Sequence, residues 1–252
     1  MSALSIRFSD AALDHATEAL TIVDLDGLIY EGKFGTKNLF DESEDWSLKN
    51  LADRNTDAVL SGSPIFSDHS VKISSGAQGG GPYGIDANVI PGAYGDVTMA
   101  CLVRKPALGT SGEIMGTVGS SYIAIAYSTN AWRFFNSQSG TTPAIAAVSN
   151  PDTADTDYWF VIGWGAALDY PNIAVGNADA MVAGTAGTTK GSTRHTTNHL
   201  KIGTSLGIGN AQIEVAWAAA WSRILDADER LAQYLRIKQW AADNTGGAVV
   251  VN

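Results

Sequence analysis

The chain has 252 residues, 45% hydrophobic and 17% charged, a balance that supplies a large apolar core and excludes a disordered chain. Its formal net charge of -10 opposes phosphate backbones and anionic headgroups, so neither nucleic acid nor a membrane surface is an expected partner. No stretch reaches the roughly 18 apolar residues of a spanning helix, and MSALSIRFSD lacks the basic-then-apolar order of a secretory leader.

Residues 1–40 lack a clean sandwich pattern, contain the short helical candidate Asp10-Ala-Ala-Leu-Asp-His-Ala16, and are expected to form an arm or first strand. The next segment, Asp41-Glu-Ser-Glu-Asp45, places Glu42 and Glu44 two apart, the parity that puts two carboxylates on one face of a strand, and glycan hydrolysis works with such a pair of carboxylates. No β-branched or apolar run surrounds them, so a solvated acidic loop is the expectation and catalysis is not. Candidate strands then follow at Leu20 to Tyr30, Thr56 to Leu60, His69 to Ser74, Asp96 to Arg104, Glu113 to Val118, Tyr122 to Tyr127, Trp132 to Asn136, Tyr158 to Gly165 and His199 to Gly203. Short apolar runs between Gly, Pro, Asn, Asp and Ser clusters are the spacing of an all-β sandwich. Cys101, the only cysteine, falls inside the apolar run Val97 to Val103 and reads as a small buried hydrophobe.

Further on, Asp169-Tyr-Pro-Asn172 with Asn177 and Asp179 offers hard oxygen ligands for calcium, or a Tyr170 stacking face with Asp169 and Asn172 hydrogen bonds for a sugar. The competing reading is a plain turn. Asp169, Tyr170, Asn172 and Asn177 are therefore the candidate ligand-binding residues. The glycines from Gly184 to Gly191 suggest a mobile surface loop with positive φ, as do those from Gly76 to Gly81. His195 and His199 are four apart, but in an extended segment that is ~13 Å, too far for one metal ion, so no metal is expected there.

Alternation in Ala211 to Trp221 predicts a strand with Ile213, Val215, Trp217, Ala219 and Trp221 on one buried face. Asp226-Ala-Asp-Glu229 is a capping box that starts a helix running to about Asp243, with an apolar stripe of Leu231, Tyr234, Leu235 and Ala241. The tail Thr245 to Asn252 is β-branched and suited to adding a strand to a neighbouring molecule.

Five segments together resemble a laminin-G-like domain of the concanavalin-A-like class, in the version found in bacteriophage virion and adhesin proteins. They are Asn50 to Phe66, Asp96 to Arg104, Tyr158 to Trp164, Leu200 to Gly203, and the closing stretch Glu214 to Ala242 with Trp221-Ser-Arg-Ile-Leu-Asp-Ala-Asp-Glu-Arg230. A Trp common in the family near the position of Leu102 is missing. The resemblance implies an antiparallel two-sheet β-sandwich (jelly roll) with one C-terminal helix, spanning residues 41–243 between the arm and a tail of 244–252. It also implies a virion structural protein, a tail fibre, spike or appendage subunit made in the host cytoplasm. Such a protein would bind a cell-surface glycan, assemble as a homo-oligomer with other virion proteins, and need no cofactor apart from calcium as a candidate. Alternatives are a capsid decoration or head-fibre protein, and a bacterial carbohydrate-binding module or glycan hydrolase.

Overall fold

The computed structural model describes residues 26–35, 48–53, 55–61, 63–74, 84–104, 111–117, 122–128, 130–136, 144–149, 157–194, 196–203 and 212–252. Two antiparallel sheets face each other. In chain order the strands are β1 Leu28–Lys33, β2 Val59–Ser61, β3 Ile65–Phe66, β4 Val71–Ser74, β5 Gly84–Asp86, β6 Asp96–Arg104, β7 Gly112–Thr117, β8 Ile123–Ser128 and β9 Ala131–Asn136. They continue as β10 Ile145–Ser149, β11 Tyr158–Ala166, β12 Asn172–Asn177, β13 Ala180–Ala183, β14 Leu200–Ile202 and β15 Gln212–Trp221, followed by helix α1, Ala227–Asn244.

The first sheet runs β13-β12-β11-β6-β15-β4-β3, and the second β10-β9-β8-β7-β14-β5-β2. β15 is the longest strand and has room for two partners on one edge. β4 pairs with its first half, from Gln212 to Val215, and β1 with its second, from Trp217 to Trp221. β1 lies within the segment read as an arm or first strand, and it enters the sheet opposite residues nearly two hundred positions away.

Between the sheets, Val97, Met99, Cys101 and Val103 of β6 and Val161 of β11 meet Ile123, Ile125, Trp132, Phe134, Leu200 and Ile202 of the second sheet. Cys101 is fully buried, and burial pushes its thiol far above the ordinary range. The expected single buried face of β15 is not what the strand shows. Its register with β6 shifts between Val215 and Trp217, a β-bulge at Ala216 that reverses the parity. Ile213, Val215, Ala218 and Ala220 therefore face the sandwich core, whereas Trp217, Ala219 and Trp221 face outward beneath the helix. Both faces are buried, so an alternating pattern became two half-patterns joined by a bulge.

Helix α1 begins with the expected capping box: Glu229 N donates to Asp226 Oδ1 at 2.9 Å and Asp226 N to Glu229 Oε2 at 2.7 Å. The buried stripe is Tyr234, Ile237 and Ala241, while Leu235, expected in it, is 39% exposed. Tyr234 packs on Phe160 with ring centroids 5.5 Å apart, and Phe160 stacks on Trp217 at 5.8 Å. The tail folds back on its own chain. Tyr158 N donates to Val250 O at 2.7 Å and Asn252 N to Tyr158 O at 3.0 Å, extending the first sheet where β12 stops short. Val249 is buried beside Tyr158 and Ala241, so this edge is filled internally and is not presented to a neighbour.

A polar row crosses the outer face beside the tail. Lys72, Glu214, Arg104 and Tyr158 are consecutive cross-strand partners over four strands. Glu214 accepts from Ser70 Oγ and Tyr158 Oη at 2.7 and 2.8 Å and from Arg104 at 3.0 Å. Burial alone would raise its pKa, but these donors with Arg104 and Lys72 hold it below the ordinary 4.5. A depressed carboxylate contributes stability that is present above the unfolded pKa and lost as pH falls through the folded one. Urea midpoints measured from about pH 5 down to 3 should fall for the wild type and fall less steeply for Glu214→Gln. Equal slopes would remove Glu214 from the acid response.

Candidate functional site

Loops meet at one end of the sandwich around the turn joining β11 to β12. Asp169 N donates to Ala166 O at 3.3 Å, and Leu168 is held at φ 63, a left-handed conformation uncommon for a branched aliphatic residue, with its side chain 58% exposed. Asp169 Oδ1 accepts from Tyr170 N at 2.8 Å, and Asn172 Nδ2 donates to Tyr170 O at 3.2 Å. The Tyr170 ring is 42% exposed, with Lys190 Nζ 5.3 Å from its centroid. Ala167 N donates to Gly95 O at 2.7 Å, which brings a second exposed aromatic, Tyr94, to the same rim. Tyr94 closes the 3-10 turn Pro91–Ala93 ahead of β6, donating its N to Pro91 O at 3.2 Å.

A buried polar knot underlies these exposed residues. Arg194 is 5% exposed, and its guanidinium donates to Gly95 O at 2.9 Å, Tyr94 O at 3.3 Å, Gly165 O at 2.6 Å and Asn136 Oδ1 at 2.6 Å. Asn136, at the end of β9, donates in turn to Ala166 O at 2.8 Å and Asp169 O at 3.0 Å. Every acceptor of Arg194 is neutral. Burial therefore lowers its pKa to about 10 against the pull of the nearby Asp96, and the group stays a cation at neutral pH. Two side chains thereby fasten the Tyr94 turn, the β11–β12 turn and the segment before Arg194 to the frame.

The segment from Gly184 to Gly191 departs from the expected mobile loop. Thr185 pairs with Ala147 of β10, Gly187 N donates to Pro171 O at 2.9 Å, and Gly191 N to Asp169 O at 3.0 Å. A Cβ at Gly184 would stand 2.5 Å from Ala147 O, and one at Gly191 2.3 Å from Asn136 O. Close backbone approach, not a left-handed φ, requires glycine at both positions.

Of the four candidate ligand residues, Asp169, Tyr170 and Asn172 share this rim and Asn177 does not. Residues 172–177 are strand, so Asn172 and Asn177 are separated by roughly 16 Å. Asn177 and Asp179 sit at the opposite end, where Asp179 pairs with Lys238 of α1 at 3.0 Å. A single calcium ion cannot take ligands from both ends of β12, and no group of three or more His, Cys, Asp or Glu suited to a metal occurs among the described residues. His199 Nδ1 lies 3.1 Å from Asp86 Oδ1, while His195, Glu42 and Glu44 lie outside the described residues. Tyr94, Asn136 and Arg194 are not among the site residues that the sequence suggests. An aromatic between glycine and proline turn residues, Pro91-Gly-Ala-Tyr-Gly95, is the one signal that points to Tyr94.

No family model matches the sequence, and no curated protein matches it. Solved structures do. The binding domain of botulinum neurotoxin DC in complex with SialylT superposes with a TM-score of 0.58 at 11% identity, covering 84% of this chain and 51% of that one. The binding domain of Paraclostridial Mosquitocidal Protein 1 gives 0.59 at 10% identity, over 84% and 52%. A Trypanosoma rangeli sialidase mutant displaying trans-sialidase activity gives 0.54 at 17% identity, over 84% and 34%. The chain spans about half the length of the toxin binding domains and about a third of the sialidase. At these identities the likeness is one of fold, and with the two antiparallel sheets and C-terminal helix it makes the chain an antiparallel two-sheet β-sandwich.

Proposed function

We propose that this sandwich is a glycan-binding module, acting by recognition and not by catalysis, and that it serves a bacteriophage virion as an appendage subunit contacting the host surface. The observation that carries the reading is the exposed Tyr170 ring beside the Asp169 and Asn172 side chains, on a turn that the buried Arg194 and Asn136 hold in place. An aromatic face takes the apolar side of a sugar ring, and flanking carboxylate and amide groups take its hydroxyls. Rigid anchoring limits the entropy lost on binding. Two supports come from elsewhere: binding domains share the fold, one of them determined with SialylT, and the sequence resembles phage virion domains.

Tyr170→Ala should weaken retention on a glycan array roughly tenfold or more, with an unchanged melting temperature because the ring is exposed. The same preparations, weighed by light scattering with and without residues 1–25, report on the assembly half of the proposal. Loss of a trimer or larger ring on truncation supports a virion subunit, and a monomer in both cases counts against it. Retention of glycan by Tyr170→Ala at the wild-type level would remove the rim from the reading.

A further inference from the structure

The rim carries two exposed aromatic rings, and the sequence pointed to one. Tyr94 and Tyr170 are each 42% exposed, although they belong to separate loops some 75 residues apart in sequence. Their backbones converge on the same knot. Arg194 holds Tyr94 O and Gly95 O, Asn136 holds Asp169 O, and Arg194 and Asn136 are bonded to each other at 2.6 Å. The same two turns expose Gly95, with nothing within 4 Å of a Cβ, together with Leu168, Asp96 and Asp169.

Resting on the glycan reading of this rim, we infer that Tyr94 is a second stacking platform and that the ligand is an extended saccharide chain lying across the rim from Tyr170 to Tyr94. The chemistry follows from the residues. Two flat apolar faces on one rim, with hydrogen-bonding groups on the same turns, suit repeated pyranose rings with hydroxyls between them, whereas one isolated sugar can occupy only one face. A chain long enough to reach both rings gains the second contact with little further loss of translational freedom, as two linked sites do. Holding both turns by a buried arginine keeps the spacing of the faces constant, so chain length and linkage become the recognised features.

The test uses the full chain and an array of defined mono- to hexasaccharides made of hexose, N-acetylhexosamine and uronic-acid units. For the wild type the hexasaccharide should bind roughly tenfold or more tighter than the single unit of the same series. Tyr94→Ala should bring that ratio close to one, Tyr94→Phe should keep it, and both variants should melt as the wild type does. Tyr170→Ala should remove binding at every length. Should Tyr94→Ala retain the full length ratio while Tyr170→Ala abolishes binding, the two-platform inference fails and the single-site reading stands. Should the wild type retain no saccharide, or Tyr170→Ala bind normally, the glycan reading of the rim fails and the inference goes with it.

Discussion

Replacing Arg194 by alanine should destabilise the protein by about 3 kcal/mol or more, the loss expected when several buried acceptors are left without donors. The substitution takes the guanidinium donors from Asn136 Oδ1 and from the carbonyls of Tyr94, Gly95 and Gly165, which three separate segments contribute, and of these Gly95 O keeps its bond from Ala167 N. Lysine should recover little of this, because an ammonium cannot reproduce a planar fork whose two terminal nitrogens each serve two acceptors. Urea unfolding of the three proteins checks it through the midpoint at constant slope. A loss under about 1 kcal/mol for Arg194→Ala would mean that water or loop relaxation satisfies those acceptors, and that the rim is not held by the knot. The Tyr94 turn and the β11–β12 turn should also become accessible to limited proteolysis in the variant before the rest of the molecule does.

Trp217→Ala should cost about 4 kcal/mol, the range for deleting a large core aromatic. Its indole is fully buried beneath α1, stacks on Phe160, lies 6.5 Å from Trp221, and donates Nε1–H to Glu31 Oε1 at 2.9 Å. Glu31 also accepts from Arg236 of the helix at 2.8 Å, so the tryptophan joins β1, β15 and α1 in one contact. Phenylalanine should cost less, about 1–2 kcal/mol, since it keeps most of the apolar volume and loses the hydrogen bond. Equal losses for the two variants would show that the hydrogen bond to Glu31, not the packing of the ring, fastens this face.

Much of the sandwich was legible because its central strands are buried on both sides and read as unbroken apolar runs. β6 matches its expected limits of Asp96 and Arg104, and β11 differs by one residue. β12 was read as a ligand loop: its ends are Asn172 and Asn177, and only Ile173 and Val175 mark its inner face. β15 deceived by regularity. Five alternating apolar residues look like one face, and nothing in the local sequence announces the bulge at Ala216 that divides them. The candidate site was half visible for a similar reason. Turn chemistry in Asp169-Tyr-Pro-Asn172 marks a rim loop, but Arg194 acts mainly through backbone carbonyls, which every residue possesses, so its partners leave no trace in the side-chain pattern.

The position of β15 bears on the order in which the fold can close. This strand lies between β6 on one edge and β4 with β1 on the other, and it follows every other strand in the chain. During synthesis β1, β4 and β6 emerge long before the strand that joins them, leaving three unsatisfied edges in the nascent first sheet. Pairings between residues so distant in sequence fold slowly, and open edges invite pairing between chains. The ribosome-bound intermediate is thus the form of this protein most exposed to aggregation, and a chaperone that shields strand edges until residue 221 has emerged would raise its yield.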